Sequence, residues 1–455
     1  MRHHDLIVIG AGSGNAVIDD SFSDLDVAVV EERWFGGTCL NAGCIPSKML
    51  AYTAQVAATV RGAGAYGVDA RLGAVRWREI RDRVFGLLDA ERAEGRRGRL
   101  DEDHVTVYEG TARFTGPREL LIDAGDEEVR IGADRIVIAA GGGPAVPPVV
   151  AASGVPYQTS DTIMRIDSPP RRLAVLGGGY IAAELAEVFH EAGSDIIVVE
   201  AEARLLDGQD ETVAKAFTDL ARNRYDLRLG RQLTALREEP GALVLTLDDG
   251  STVRADLLLV ATGRVPQADR LDLTAAGIRT HEDGRIVVDS HQRTDVSGVY
   301  ALGDICSPVP LKHVANREAE VVAHNLLHPD DLISADHALV PAAVFTRPEI
   351  ASVGLTEQDC RDREEDYLVG TARYADVAYG WAMRDTTGFC KVLAERRTGR
   401  LLGAHVMGPQ AAVLIQSLVL AMTREIDAVS LAKELYWIHP ALGEVVKNAL
   451  LDLAL

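Results

Sequence analysis

The sequence predicts an α/β protein with two Rossmann-like nucleotide-binding domains, followed by a C-terminal α+β domain. Two glycine-rich turns, beginning at Gly10 and Gly177, each join an apolar β-like run to a helix-like run, the pattern of a dinucleotide-binding unit. New β-like stretches and an apolar helix after about residue 336 indicate the third domain. A chain of 455 residues is long enough for three domains.

Composition narrows the range of partners. The formal net charge of −21 argues against a general nucleic-acid or anionic-membrane surface. The apolar runs are shorter than the roughly 20 residues that cross a bilayer, and a β-like run begins by Leu6, which leaves no room for a signal peptide. We therefore expect a cytoplasmic protein whose partners are small molecules, without nucleic-acid or membrane binding.

The first dinucleotide-binding unit begins with DLIVIGAGSG, residues 5–14. Gly10 and Gly12 occupy the first two positions of GxGxxG, where missing side chains let the backbone approach a pyrophosphate, and Asn15 takes the third. The residues from Asn15 onward predict a helix. The next apolar run ends in Glu31, 21 residues after Gly10, where a carboxylate can bind ribose hydroxyls. Without that acid, a simple tight turn would explain the glycines equally well.

Two of the five cysteines lie in GGTCLNAGCIPSK, residues 36–48. Four residues separate Cys39 from Cys44, and an apolar, helix-permissive run follows from Met49 to Val60. A sulfur near a helix N-terminus has its thiolate stabilised by the helix dipole and unpaired N–H groups. Because structural disulfides are rare in a reducing compartment, we interpret the pair as redox-active; two buried thiols or a scaffold disulfide is the alternative. The other cysteines receive no role: Cys306, Cys360 and Cys390.

The region between the two units predicts few sites. Residues 71–104 are rich in arginine and acids and predict a solvated helix followed by a loop. Short β-like segments follow, and the glycines and prolines of residues 141–148 predict a domain linker.

The second unit, LAVLGGGYIAAELAEVF, has a complete GxGxxA in Gly177, Gly179 and Ala182, and its next apolar run ends in Glu200. Two nucleotide sites in one chain fit a flavin and a nicotinamide, the pair that moves hydride and then electrons to a disulfide. Glu200 would accept hydrogen bonds from a ribose 2′-OH and repel a 2′-phosphate, which favours NADH. Arg204 could partly offset that charge.

Later segments predict a further strand over residues 256–263 and another in GVYALGD, which ends at Asp304. An acid just past a strand can bind a sugar or ribityl hydroxyl, or it can cap the next helix. Residues 313–327 predict that helix. Two β-like stretches, 342–345 and 389–393, with an apolar helix over 411–422, predict the α+β domain.

The last chemical feature is WIHPALGE near the C-terminus. Pro440 suits the first turn of a helix and would place His439 at its start. Glu444, five residues after His439, can pair with the imidazole only if His439 lies outside the helix, because positions five apart do not face each other. By itself, a C-terminal histidine is more often structural than catalytic.

Together these segments resemble the flavin-dependent pyridine-nucleotide disulfide oxidoreductases, the family of glutathione reductase and dihydrolipoyl dehydrogenase. GGTCLNAGCIPSK resembles the redox-active disulfide motif, GAGSGN and ALGD two flavin motifs, GGGYIAAE the NAD(P) motif and HPALGE the His-Glu pair. Within the family, five stretches are most similar to the mycothiol-disulfide reductases of actinobacteria: GSGNAVID, RGAGAYGVDA, VRWREIRDRVFG, DVAYGWAMRDTTG and YWIHPALGEVV.

The resemblance implies an FAD domain over residues 1–145, an NAD(P) domain over 146–262, a central segment over 263–335 that completes the FAD domain, and an interface domain over 336–455. It implies a homodimer whose active site joins Cys39 and Cys44 of one subunit to His439 and Glu444 of the other.

The resemblance also assigns individual roles. Lys48 would lie near the flavin N5, paired with Glu184, and Tyr180 would gate the nicotinamide pocket. The implied FAD contacts are Gly10, Gly12, Gly14, Glu31, Gly37, Thr38, Lys48, Ala140, Gly141 and Asp304. The implied NAD(P) contacts are Gly177, Gly179, Tyr180, Ala182, Glu200 and Gly263.

The implied activity passes electrons from NAD(P)H through FAD and the cysteine pair to a low-molecular-weight disulfide, mycothione. Cys44 would face the flavin, Cys39 would attack the substrate, and His439 would protonate the departing thiol. NADPH is usual in the subfamily, whereas Glu200 favours NADH. The alternatives are an NAD-dependent dihydrolipoyl dehydrogenase, which the CIPSK motif also resembles, and a non-catalytic flavin redox sensor.

Overall fold

The computed structural model describes residues 1–125 and 127–455. The first region of the fold is built on a sheet that contains the first strand of the chain. Its elements are β1 (Arg2–Ile9), β2 (Val27–Glu31), α1 (Gly37–Asn41), α2 (Cys44–Gly62), α3 (Trp77–Leu100), β3 (Val105–Glu109), β4 (Thr111–Gly116), β5 (Glu119–Asp123), β6 (Glu128–Ile138) and β7 (Gly142–Pro144). The sheet order is β3-β2-β1-β6-β5-β4. Strands β1, β2, β3 and β6 are parallel, so their carboxyl ends meet at one edge.

A second, five-stranded parallel sheet carries the other glycine turn. The elements of this region are α4 (Pro148–Ala151), β8 (Gln158–Thr159), α5 (Ser160–Ile163), β9 (Arg172–Leu176), α6 (Tyr180–Glu191), β10 (Asp195–Glu200), α7 (Glu211–Ala221), β11 (Asp226–Leu229), β12 (Leu233–Glu239), β13 (Ala242–Leu247), β14 (Thr252–Ala255) and β15 (Leu257–Val260). The order is β11-β10-β9-β15-β8, and β12, β13 and β14 form a separate antiparallel sheet. Each glycine turn therefore follows the carboxyl end of a buried parallel strand.

The chain then returns to the first sheet before it forms the C-terminal region. Its remaining elements are β16 (Arg264–Pro266), α8 (Leu273–Ala276), β17 (Val299–Ala301), α9 (Lys312–Leu327), β18 (Ala342–Val344), β19 (Ile350–Gly354), α10 (Glu357–Asp362), β20 (Tyr367–Arg373), α11 (Ala378–Met383), β21 (Phe389–Glu395), β22 (Leu401–Met407), α12 (Ala411–Thr423), α13 (Ala428–Glu434) and α14 (Gly443–Leu451). β16 pairs with β7, and β17 pairs in parallel with β6. The last sheet is antiparallel, in the order β18-β19-β22-β21-β20.

The helix predicted from Asn15 is not formed, and this expectation was wrong. The chain instead makes two short 3₁₀ turns, Gly14–Val17 and Asp20–Phe22. Asp19 accepts a hydrogen bond from the Ser21 N–H (2.9 Å), a local bond that competes with helix propagation. The first glycine turn is therefore followed by compact loop structure.

Arg99 gives a second reason for the missing helix. Its guanidinium donates to the carbonyls of Asn15 (2.8 Å) and Ile18 (2.7 Å), groups that a helix would have paired internally. The helix predicted within residues 71–104 exists as α3, but Arg99 near its end is buried rather than solvated. A buried arginine thus replaces the backbone hydrogen bonds of the shortened segment.

The C-terminal histidine also lies differently from the prediction. Pro440 does not occupy the first turn of a helix, because α14 begins only at Gly443. The His439–Pro440 peptide bond is cis. Because α14 begins only at Gly443, His439 lies outside the helix, which is the condition for its pairing with Glu444. Within the described part of the chain, none of the helices combines the length and hydropathy needed to cross a bilayer.

A buried ionic cluster joins the C-terminal sheet to the second region. Lys391 on β21 donates to both carboxylate oxygens of Asp210 (2.8 and 2.9 Å), to Glu357 (2.6 Å) and to Thr212 (3.0 Å). Asp210 is fully buried and caps the N-terminus of α7. Burial alone would raise the pKa of Asp210, but the nearby His405 and Lys391 outweigh it and lower that pKa. The cluster fixes the two regions against each other.

Replacing Lys391 by methionine is expected to lower the free energy of unfolding by about 3–5 kcal/mol at pH 7, because it leaves the buried Asp210 without its cation. The loss should shrink as the pH falls, since protonation of Asp210 removes the unpaired charge. Urea denaturation at pH 7 and pH 5 measures both effects. Lys215→Met is the matched control: Lys215 pairs with Asp219 on an exposed face (2.8 Å), so its loss should leave the free energy of unfolding nearly unchanged. Equal losses in the two variants would contradict the prediction.

Candidate active site

A cavity of about 350 Å³ lies where the carboxyl ends of the first sheet face the start of α6. Thirteen residues predicted from the sequence line it: Gly10, Gly12, Glu31, Gly37, Thr38, Cys39, Cys44, Lys48, Ala140, Gly141, Tyr180, Glu184 and Asp304. Gly14 does not line it. Its Cα is packed so closely behind the loop that an added Cβ would lie 2.7 Å from the Ala139 Cβ. The cavity therefore runs from the first glycine turn to the cysteine pair.

The two cysteines lie at the junction of α1 and α2, with Cys44 as the first residue of α2. Both are thiols in this structure. The Cys39 thiol donates a hydrogen bond that, with the Lys48 ammonium, outweighs burial and lowers the pKa of Cys44 to about 7. The same hydrogen bond, together with burial, raises the pKa of Cys39. At neutral pH the reduced pair is therefore a Cys39 thiol beside a partly ionised Cys44.

Lys48 reaches across the cavity to the second glycine unit. Its ammonium donates to both carboxylate oxygens of Glu184 on α6 (3.0 and 2.7 Å), and Glu184 also accepts from the Phe345 N–H (2.9 Å). Glu184 is buried, so its charge requires these partners. The pair holds the start of α2, with Cys44, against the start of α6.

The first glycine turn has the shape required by a bound dinucleotide. Gly10 has φ +100°, and Gly37 approaches so closely that a Cβ there would lie 2.7 Å from the Gly12 Cα. Glu31 accepts hydrogen bonds from the N–H groups of Ala11 (2.7 Å) and Trp34 (2.9 Å), which fixes its carboxylate at the cavity wall. A Cβ at Gly10 or Gly37 would clash with neighbouring backbone, so only glycine allows the close packing of this turn, and the turn fits an FAD.

The glycines of the second turn are similar but do not line this cavity, which Tyr180 and Ile181 after them do. Gly177 has φ +109°, and an added Cβ at Gly179 would meet nothing within 4 Å, so the backbone at the start of α6 is open. Glu200 lies beside the turn, where a Cβ on Gly178 would be 2.8 Å from its carboxylate. Ala182, on α6, is buried, and Gly263 accepts from the Ala145 N–H, at the link back to the first region. The open backbone fits a nicotinamide dinucleotide.

Arg204 does not face Glu200. Its guanidinium donates to Glu211 (2.8 Å) and, at longer range, to Asp207 (3.4 Å). Glu200 instead accepts a hydrogen bond from the Glu202 N–H (2.8 Å). The positive charge of Arg204, which the sequence suggested as an offset to Glu200, is thus paired with other carboxylates.

His439 and Glu444 form a hydrogen-bonded pair away from the cavity of their own chain. His439 Nδ1 lies 2.9 Å from Glu444 Oε1, and this hydrogen bond lowers the pKa of Glu444. His439 is 71% exposed, whereas the other oxygen of Glu444 is buried without a partner among the described residues. The Glu444 carboxylate thus holds the His439 imidazole in one orientation. Neither residue lines the cavity of the same subunit.

Sequence reasoning missed several charged residues of the cavity wall. Lys312 is the first residue of α9 and donates to Ser13 (2.8 Å), which lies in the first glycine turn. Arg264 lies 3.4 Å from Asp304, and Arg270 pairs with Glu32. Ser13 lies within the GAGSGN motif, so the motif itself could have indicated it, whereas a single lysine or arginine at an element start carries no such signal.

Comparisons with known proteins show the family of the chain. Residues 4–319 match the family model for pyridine nucleotide-disulphide oxidoreductase, and residues 340–450 match the dimerisation domain of the same family. A mycothione reductase from Mycobacterium tuberculosis is 48% identical over 463 aligned positions, which cover 100% of both chains. A dihydrolipoyl dehydrogenase from Haloferax volcanii is 34% identical over 98% of this chain and 95% of its own.

Solved structures of the same architecture include the HOCl-induced flavoprotein disulfide reductase RclA from Escherichia coli. One such chain superposes with a TM-score of 0.86 at 25% identity, covering 98% of this chain and 99% of its own. The match of both family models over most of the chain, together with these relatives, confirms the resemblance and the α/β fold class predicted from the motifs. The chain belongs to the pyridine nucleotide-disulphide oxidoreductase family.

Proposed function

We propose that this protein is a flavin-dependent disulfide reductase that reduces mycothione to two molecules of mycothiol. The observation that carries the proposal is the Cys39–Cys44 pair at the end of a cavity that begins at a dinucleotide-type glycine turn. The choice of mycothione is supported by the full-length relative at 48% identity, compared with 34% for the dihydrolipoyl dehydrogenase from Haloferax volcanii.

FAD would be held by the first glycine turn, Glu31, Asp304 and Lys48, and a nicotinamide by the second turn and Tyr180. The bound flavin would supply the redox chemistry by which a hydride from the nicotinamide becomes the electron pair that opens the Cys39–Cys44 disulfide. Asp304 supports this assignment because it lies at the cavity wall in a 3₁₀ turn that follows β17. We retain the domain limits predicted from the sequence: 1–145, 146–262, 263–335 and 336–455.

The residues of the chain would then carry out thiol exchange. The Cys39 thiol has a raised pKa, so it needs a base when it attacks one sulfur of the substrate. His439 of the partner subunit would accept that proton and return it to the departing thiol, with Glu444 orienting the imidazole. The Cys44 thiolate would next attack the Cys39 sulfur in the mixed disulfide, restore the protein disulfide and release the second mycothiol as a thiolate, which takes its proton from water.

Shared active sites require a homodimer, and the C-terminal surface supports one. Exposed apolar side chains surround the histidine: Leu435, Tyr436 and Ile438 are 49%, 99% and 78% exposed. The buried indole N–H of Trp437 has no partner among the described residues. A second copy seated there would cover the apolar surface and could bring His439 to the partner cavity.

We further propose that NADH is the preferred nicotinamide. Glu200 stands at the end of β10, beside the second glycine turn, where its charge would oppose a 2′-phosphate. Arg204 is paired with Glu211 and Asp207 and does not offset that charge. The usual preference of mycothione reductases for NADPH would thus be reversed in this chain. The cytoplasmic location predicted from the sequence remains a prediction.

Steady-state assays of the purified FAD-loaded protein test both proposals. With NADH, kcat/KM for mycothione is expected to exceed that for lipoamide at least tenfold, an order of magnitude within reach of selective binding. Exchanging NADH for NADPH should raise KM about tenfold or more. A faster reaction with lipoamide would favour the dihydrolipoyl dehydrogenase alternative, which the acid at Glu200 also suits. Flavin reduction by NADH without transfer to either disulfide would favour a redox sensor.

A further inference from the structure

Glu318 is a buried carboxylate on α9 that lies behind the ALGD motif. Its side chain is fully buried, and its Oε2 accepts a hydrogen bond from the Gly303 N–H (2.6 Å). Gly303 begins a 3₁₀ turn, Gly303–Ile305, and Gly303 and Asp304 both line the cavity. Glu318 itself does not line the cavity. Its link to a ligand of the cavity is therefore this turn.

The other oxygen of Glu318 has a partner from a different part of the chain. His337 Nε2 donates to Oε1 (2.8 Å), and His337 lies between α9 and β18, at the start of the C-terminal region. Burial raises the pKa of Glu318, whereas the Gly303 N–H and His337 act against that rise. Each carboxylate oxygen thus has its own donor, as a buried charge requires, and the two bonds fix the orientation of the carboxylate.

The turn that Glu318 holds also packs against α9. Gly303 has φ +75°, in the left-handed region that favours glycine, and an added Cβ there would lie 3.4 Å from the Ala315 Cβ of α9. Gly303 is buried, so its N–H would be left without an acceptor if Glu318 were removed. A turn that shifts to satisfy this N–H elsewhere would carry Asp304 with it. The position of Asp304 therefore depends on Glu318.

We propose that Glu318 is a positioning residue for FAD: it fixes the Gly303 N–H so that the turn presents the Asp304 carboxylate to the cofactor, and His337 holds Glu318 in place. The proposal deepens the proposed function and rests on it for the identity of the cofactor. It adds no step to the reaction, and the property that it affects is the affinity for FAD. Glu318 needs no contact with FAD in this role.

The test measures the dissociation constant of FAD from the full-length protein. FAD-loaded protein is diluted in series, and the released flavin is measured by its fluorescence after ultrafiltration. Glu318→Met keeps the length of the side chain but removes the charged acceptor of a buried N–H, so the constant should rise about 10- to 100-fold. Glu318→Gln keeps a carbonyl acceptor for Gly303 and should stay within about fivefold of the wild type. Glu320→Met is the matched control, because Glu320 is exposed on the same helix and pairs with Arg317 (2.7 Å); it should change nothing.

A double-mutant cycle separates positioning of Asp304 from a general weakening of the fold. Asp304→Ala should weaken FAD binding by itself. If Glu318 acts through Asp304, adding Glu318→Met to Asp304→Ala should raise the constant by about threefold or less, because the group to be positioned is gone. Effects that multiply in the double variant would overturn the proposal. An unchanged constant in Glu318→Met would also overturn it, as would an equal rise in Glu318→Gln, which would assign the effect to the buried charge.

His337 provides a second variant in case Glu318→Met does not fold. His337 is partly exposed, and His337→Ala leaves the bond between Glu318 and Gly303 in place, so the constant should rise by a smaller factor, about threefold. In that case an unchanged constant in His337→Ala would overturn the proposal. The titrations contain neither mycothione nor a nicotinamide, so a failure of the proposed substrate leaves them interpretable. A wild-type protein that binds no FAD would instead overturn the proposed function.

Discussion

Replacing Cys39 by serine is expected to reduce disulfide turnover by a factor on the order of 10⁴ or more, because the hydroxyl cannot form the mixed disulfide. The flavin should still be bound and still be reduced by NADH, since hydride transfer from NADH to the flavin requires no bond to Cys39. Steady-state assays with mycothione, and anaerobic spectra after addition of NADH, measure the two properties separately. Full turnover in Cys39→Ser would remove Cys39 from the role of nucleophile.

Cys39→Ala is the matched comparison for the serine variant. Serine keeps an O–H donor for the Cys44 sulfur, whereas alanine removes the hydrogen bond that is the main cause of the low Cys44 pKa. In Cys39→Ala the pKa of Cys44 should therefore rise from about 7 toward the ordinary value of 9.0. At pH 7 the thiolate fraction would fall from about a half to about 1%. Alkylation rates of Cys44 against pH measure this, and identical profiles in both variants would contradict the hydrogen-bond explanation.

The parts of the site that could be predicted are those formed by residues close together in the sequence. Local sequence is enough to predict the cysteine pair and the two glycine turns, because a turn or a helix start depends on near neighbours. The Lys48–Glu184 pair is different: its members are 136 residues apart, and the resemblance, rather than the spacing, suggested it. The structure brings them together because α2 and α6 pack side by side.

Long-range contacts also explain the errors. The missing helix after the first glycine turn depends on Arg99, which lies 84 residues from its acceptor Asn15. Arg204 pairs with Glu211 rather than with Glu200, a choice between two acids that the sequence leaves open. Such balances of charge exist only in the folded chain.

Replacing His439 by glutamine should lower kcat/KM for mycothione by about 10²–10⁴, the usual contribution of a general acid–base group. Glutamine keeps a hydrogen-bonding side chain of similar length but cannot carry the proton between Cys39 and the departing thiol. Reduction of the bound flavin by NADH should be unchanged, because the proposed role of His439 is proton transfer during thiol exchange and not hydride transfer. Steady-state and rapid-mixing measurements separate the two half-reactions. An equal loss in both would assign His439 a structural role.

The same variant tests whether the active site is shared between subunits. Dimers of His439→Gln and of Cys39→Ser, each nearly inactive, are mixed under conditions in which native mass spectrometry shows subunit exchange. A mixed dimer would have one site with both defects and one site with neither, so the mixture should recover about a quarter of wild-type turnover. If the histidine served its own chain, each site of the mixed dimer would keep one defect and no activity would return. Since His439 is 71% exposed and absent from the cavity of its own chain, we expect recovery.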